Sequence, residues 1–203
     1  MMTDQETILE VERVIKAEAE ELLKLSERFD EEAVLRVADT LQNCRGKVVL
    51  AGCGTSGQAA KKIAHTLCCI EIPAIYMCPA DAVHGELGLL QEGDVLILIS
   101  KGGNTEELIT LIPACKAKKA LLIGVSENPE SAIARNADIY LEVKTDREPD
   151  PFNMLATAST LSVISLFDGI CIALAQRKGF SREQFAVIHP HGAVGARLLN
   201  NLA

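Results

Sequence analysis

Val48-Val49-Leu50-Ala51-Gly52-Cys53-Gly54-Thr55-Ser56-Gly57 is an apolar run that ends among three glycines, and a helical pattern, Gln58–Leu67, follows it directly. A run this short with β-branched residues at its start reads as a buried strand rather than a helix. The glycines let the backbone approach a ligand closely, and a helix start supplies unpaired N–H groups that favour an anion. Four more short apolar runs follow, Ala74–Met77, Val95–Ile99, Leu121–Val125 and Ile139–Val143, with helical patterns between them, most clearly Glu106–Lys118. This alternation predicts an α/β fold, a doubly wound three-layer sandwich around a five-stranded parallel sheet. Open sheets of this kind bind ligands beyond the carboxyl ends of the strands, where strand order reverses. In a sheet of flavodoxin-like order, 2-1-3-4-5, the loops after the first and third strands would flank that point.

Outside this core, residues 4–43 read as an acidic amphipathic helix whose stripe (Ile8, Val11, Val14, Ile15, Leu22, Leu23, Leu25, then Val34, Val37, Ala38, Leu41) needs a partner surface. The expected organisation is a helical arm over 1–43 and one α/β domain over 44–203. Leu155–Ala175 is apolar enough to test as a membrane span, but it carries Asp168 and several hydroxyls. It reads as a helix buried in a domain or at a subunit contact. The last stretch, Ser181–Ala203, reads as two short helical pieces around a His189-Pro190-His191-Gly192 turn.

Composition removes several classes of function. The chain has 203 residues, of which 48% are hydrophobic and 24% charged, and this is ordinary globular composition. At that length folding buries roughly 70% of the chain's surface, enough for a core without staples. Acidic residues outnumber basic ones 28 to 20, for a net charge of −8, and aromatics are 3% with no Trp. Neither the electrostatic footprint nor the stacking platforms of a nucleic-acid binder are present. The seven cysteines include no C-x-x-C pair and follow no signal peptide, so they read as reduced, mostly buried thiols of a cytoplasmic protein. No group of ligands has metal-binding spacing.

The loops are where chemistry is expected. In the first, the third glycine comes one residue too early for a dinucleotide fingerprint, and the second strand ends Tyr76-Met77-Cys78 without an acidic residue. In the second, Ser100-Lys101-Gly102-Gly103-Asn104-Thr105, no Gly-Lys-Ser/Thr follows, which excludes a P-loop. Its hydroxyls and helix-start amides suit a monophosphate instead, although Thr105-Glu106-Glu107 is also an ordinary capped helix start. His84 lies after the second strand, Glu148 beyond the fifth, and His189 before a proline; His65, mid-helix, reads as structural.

Together these pieces resemble the sugar isomerase (SIS) domain. They are Gly52–Gly57, His84-Gly85-Glu86-Leu87-Gly88, Ser100–Thr105, Asn128-Pro129-Glu130-Ser131, Ala156-Thr157-Ala158-Ser159-Thr160, Arg177-Lys178-Gly179-Phe180 and His189-Pro190-x-Gly192-Ala193-x-Gly195. Within it they resemble the KpsF/GutQ branch, the D-arabinose 5-phosphate isomerases, without the CBS pair that long members carry. The resemblance implies an aldose–ketose isomerase of a sugar phosphate acting through an enediol, with no cofactor and no metal. It implies Glu148 as base, His189 and His84 as ring-opening or oxygen-proton shuttles, and Ser56, Ser100 and Thr105 as phosphate hydroxyls. Gly54, Thr55, Lys101, Gly103 and Asn104 complete the two binding loops. It further implies a homodimer or homotetramer in which His84 or His189 acts on a neighbouring subunit's site, and no nucleic-acid or membrane partner. The family's lysine in the first loop is Thr55 here, its glutamate in the second is Asn104, and a later serine is Gly102. These departures keep two alternatives open, a non-catalytic sugar-phosphate sensor and a 6-phospho-3-hexuloisomerase-like enzyme. They also direct attention to Lys101, expected either to replace the missing lysine in part, for phosphate binding but not for chemistry, or to point to solvent or cap a neighbouring carboxylate.

Overall fold

The structure, a computed structural model, describes residues 2–192 and Gly195. Ala193 and most of the second helical piece read beyond the His189–Gly192 turn lie outside the described residues. The apolar runs form strands β1 (Val48–Gly52), β2 (Ala74–Tyr76), β3 (Val95–Ile99), β4 (Leu121–Ser126) and β5 (Ile139–Glu142). They pair in the order β2-β1-β3-β4-β5. Every pairing is parallel, with Val48 opposite both Ala74 and Val95, Val95 opposite Leu121, and Ile123 opposite Ile139. Chain direction across the sheet reverses between β1 and β3, so their carboxyl ends meet at the switch point.

Side chains alternate across each strand and feed two cores. Val48, Leu50, Ile97, Ile99, Ile123 and Leu141 join Ile63, Leu67, Phe167, Ile170 and Leu174, from helices α3 (Gly54–Cys68) and α8 (Ala158–Arg177). Val37, Ala38 and Leu41 of α2 (Glu31–Gln42) close that core. Val49, Ala51, Leu96, Leu98 and Leu122 face the other way, onto α4 (Pro79–Ala82), α5 (Glu106–Ile109), α6 (Ile112–Ala117) and α7 (Ala132–Asn136). The first face carries long helices and the second only short ones.

Several elements differ from the sequence expectation. The single helix expected over 4–43 is two, α1 (Asp4–Arg28) and α2, because Phe29 turns extended and the Asp30 carboxylate caps the new helix by accepting the Ala33 N–H at 3.0 Å. Only Glu21 and Leu25 of α1 are buried, while Ile8, Leu9, Val11, Ile15 and Leu23 stay exposed. The expected Glu106–Lys118 helix is also split, into α5 and α6. Pro113 sits in the first turn of α6, where its missing N–H does no harm, whereas inside one continuous helix it would break the ladder. Helix α3 begins four residues earlier than its periodicity indicates, so Gly54, Thr55 and Ser56 form its first turn. The apolar run read over 155–175 is α8, which buries one face through Phe167, Ile170 and Leu174 and leaves Leu161 and Ile172 in solvent. Of the cysteines, Cys115 and Cys171 are buried and the other five are partly or fully exposed, fewer buried thiols than composition implies.

Candidate active site

At the switch point the ends of β1, β3, β4 and β5 and the start of α8 enclose a cleft of about 90 Å³, lined by Thr55, Ser56, Ser100, Lys101, Ser126, Ser159 and Thr160 over an apolar floor of Ile99, Val125 and Val143. That volume suits a compact group such as a phosphoryl and falls well short of the hundreds of Å³ that larger ligands fill. A roomier groove of about 380 Å³ between α1, α2 and α8 is almost wholly apolar and lies away from these loops.

The first wall is the β1–α3 turn. It requires glycine where backbones touch: a Cβ on Gly57 would lie 2.6 Å from the Gly52 carbonyl oxygen. Cys53 caps α3 without a side-chain hydrogen bond, so no capping side chain occupies the amides of the first turn, whose Thr55 and Ser56 line the cleft. The second wall, Ser100–Thr105, is tied to itself. The Ser100 hydroxyl accepts the Gly103 N–H at 3.1 Å and shares a hydrogen bond with the Thr105 hydroxyl at 2.8 Å. Gly103 has φ +68° and its Cβ position lies 2.2 Å from the Ser131 hydroxyl, so no other residue fits there.

Glu148 sits behind Lys101 with no solvent exposure. Its Oε1 accepts the Lys101 ammonium at 2.8 Å, and its Oε2 accepts the N–H groups of Thr157 at 3.0 Å and Ser159 at 3.3 Å, at the start of α8. Burial pushes its pKa up, but Lys101 and the α8 amides outweigh that and hold the carboxyl below its ordinary 4.5. Glu148 is therefore an ionised, fully paired buried carboxylate. Helix α1 braces the segment that carries it: Arg13 donates to the Pro149 carbonyl at 2.7 Å, buried Glu21 accepts the Asp146 N–H at 2.8 Å, and Arg28 pairs with Asp146 at 2.7 Å.

The structure thus gathers Thr55, Ser56, Ser100, Lys101 and, behind Lys101, Glu148, with Gly54, Gly103 and Thr105 shaping the walls. It does not gather the rest. Asn104, expected in the binding loop, turns outward, and its Oδ1 accepts the Ala132 N–H at 2.9 Å at the start of α7. His84 lies exposed between α4 and a 3₁₀ turn, Glu86–Leu89. His189 ends α9 (Arg182–Ile188), its ring 4.0 Å from that of Phe185 and its Nδ1 3.2 Å from the Phe185 carbonyl. Neither histidine lines the cleft. His65 is an exposed residue of α3.

Sequence reasoning did not single out Ser126, Ser159 or Thr160 as lining residues, or Thr157 as a donor to Glu148. The hydroxyl cluster Thr157-Ala158-Ser159-Thr160 at the head of an apolar run was the available signal, since such residues gather at helix starts. The Thr157 hydroxyl is buried there with no partner among the described residues. Among those residues no three His, Cys, Asp or Glu side chains come together to hold a metal.

Known proteins resemble this chain in sequence and in fold. The chain is 38% identical over 190 residues to arabinose 5-phosphate isomerase GutQ of Salmonella typhi, a match spanning 94% of this chain and 59% of that protein. It is 38% identical to arabinose 5-phosphate isomerase KdsD of Yersinia pestis, over 92% of this chain and 57% of that one. The chain therefore spans less than two thirds of the length of these curated relatives. Among solved structures, a candidate sugar-phosphate isomerase of Listeria monocytogenes superposes with a TM-score of 0.93 at 52% identity, over 94% of this chain and all of that one. A protein of Escherichia coli CFT073, solved in complex with arabinose 5-phosphate, superposes at 0.89 with 29% identity, over 93% of this chain and all of that one. Residues 40–168, the sheet and the loops that form the cleft, match the SIS domain, and the chain belongs to that family.

Proposed function

We propose that this chain is a sugar-phosphate aldose–ketose isomerase, with D-arabinose 5-phosphate as the first substrate to test. The observation that carries the reading is an ionised glutamate, Glu148, held directly behind the lysine of a phosphate-sized cleft whose walls carry hydroxyls. The relatives' names as arabinose 5-phosphate isomerases and the arabinose 5-phosphate complex of a structural neighbour support the same reaction class. The phosphoryl group would rest among Ser56, Ser100, Thr55 and the amides of α3, and Thr105 braces that wall. Glu148 would take the proton from the carbon beside the carbonyl and return it to the former carbonyl carbon, while a second group moves a proton between the two oxygens. Aldose and ketose interconvert through the enediol, no electrons leave the sugar, and no cofactor or metal enters the balance.

For the second group the reading needs His84 or His189, supplied by a neighbouring copy, because neither lines the cleft of its own chain. Exposed apolar side chains on α1 (Ile8, Val11, Ile15) and α8 (Leu161, Ile172) support a homodimer or homotetramer, since surfaces of this kind mark protein contacts. A freely diffusing cytoplasmic enzyme fits free cysteines and an acidic surface, without nucleic acid or membrane as partner. The helical arm over 1–43 then braces the Glu148 segment of the 44–203 domain.

One observation favours the sensor instead: both Glu148 oxygens are occupied and shielded from the cleft, so the carboxylate as it stands holds α8 and Lys101 in place. A panel of pentose and hexose phosphates, followed for aldose–ketose interconversion and thermal shift together, separates the readings. Turnover of at least one sugar phosphate is expected; stabilisation without turnover of any would overturn the enzyme in favour of the sensor.

A further inference from the structure

Three loops bring charge to one place. Lys101 follows β3, Glu127 follows β4, and Lys144 and Glu148 follow β5. The Glu127 N–H donates to the Lys101 carbonyl at 2.9 Å, so the first two loops are joined backbone to backbone. Lys101 is the only charged side chain lining the cleft among the described residues. About a third of it is exposed, and its ammonium lies against a Glu148 carboxylate that is not exposed at all. The cation therefore has two faces, one on a buried anion and one on a cleft shaped for an anion. This inference rests on the reading of Glu148 as the base and deepens it.

We propose that Lys101 is the positioning residue of this site: its ammonium fixes the Glu148 carboxylate while the cleft is empty, and turns to the anionic group of a ligand when one enters, uncovering Oε1. A buried carboxylate without a cation would be driven towards its neutral form, so Lys101 keeps the base charged in the resting protein. A phosphate dianion carries more charge than the carboxylate and competes for the same ammonium, which as a compact point charge on a flexible stem can follow it. Glu148 then keeps the Thr157 and Ser159 amides, which hold its position, and loses the partner that most depressed its basicity. The base becomes stronger only once substrate is bound. Thr55 carries no charge, so among the described residues nothing on the opposite wall offers the ligand a second cation.

The test follows the Glu148 side-chain carboxyl by ¹³C NMR as pH is varied, in the full chain. Lys101, Glu148 and Lys144 all lie close enough to Glu127 to act on its charge, and α1 brings Arg13, Lys24 and Arg28 to the 144–150 segment, so Glu127, Lys144 and these three are left unchanged in every variant. In the wild type Glu148 should stay ionised below pH 4.5, its ordinary midpoint. In Lys101→Met its midpoint should rise by roughly 1–3 pH units, the effect of removing a close opposite charge. Lys101→Arg, which keeps a cation, should titrate like the wild type. Adding inorganic sulfate, which stays a dianion through this pH range, should raise the wild-type midpoint and leave that of Lys101→Met unmoved. Identical titrations in wild type and Lys101→Met would overturn the positioning role, and no sulfate-dependent shift in the wild type would overturn the handover. Turnover of D-arabinose 5-phosphate is scored separately. If it is absent while these titrations behave as expected, the proposed reaction fails and the Lys101 role stands; if it is present while the titrations are identical, the reverse holds.

Discussion

The cleft around Glu148 and the two histidines differ in how the fold treats them. Glu148, Lys101 and Gly103 are held from several sides by hydrogen bonds and close packing. His84 sits on an exposed loop, beside a Gly85 whose Cβ position meets nothing within 4 Å. The His189 ring packs on Phe185 of its own helix. The first region is closed within one chain, whereas the two histidines lie outside its cleft. Under the proposed reaction, one chain would supply the anion cradle and the base, and oxygen-proton transfer would fall to groups of a neighbouring copy.

The sharpest way to break that contrast is through catalysis. Glu148→Gln should lower sugar-phosphate isomerisation and solvent-deuterium exchange at the reacting carbons by about 10²–10⁴, with ligand binding nearly intact. His84→Asn and His189→Asn should each cost less. Mixing either histidine variant with Glu148→Gln, then dissociating and reassociating the oligomer, should restore activity above both parents, because a mixed site regains a whole set of groups. Kinetics on the mixtures check this, and unrestored activity would place the histidines outside the reaction or in the same chain's site.

The next effect is structural. Gly103→Ala forces a Cβ into the Ser131 side chain at a positive φ and should cost about 2–4 kcal/mol in denaturant unfolding. Gly85→Ala meets only the backbone strain and should cost about 1 kcal/mol. Equal losses would mean that the cleft wall is no better determined than the histidine loop.

The smallest effect concerns pH. Because Glu148 is held below its ordinary 4.5, its contribution to stability is present above that value and is lost as pH falls through its lowered folded-state midpoint. The Tm margin of wild type over Glu148→Gln should therefore narrow by a few degrees between pH 7 and acid. A constant margin would show that Glu148 is not ionised in the folded protein.

The alternation of apolar runs with helical patterns was enough to derive a parallel sheet covered on both faces, because burial leaves a mark on nearly every residue of β1, β3 and β4. The glycine loops were equally readable, since Gly57 and Gly103 stand where backbones or side chains leave no room for a Cβ. Sequence also marked Lys101 and Glu148 as candidates, but left Lys101 between a phosphate and a carboxylate. They stand 47 positions apart, and no local pattern records that the ends of β3 and β5 place their charged atoms 2.8 Å from each other. The same holds for Asn104, whose side chain is claimed by α7, a contact made across 28 positions. Local periodicity determined which elements form because it reflects each residue's burial. Which charges meet depended on how the loops after parallel strands are packed side by side, and only the tertiary structure decided that.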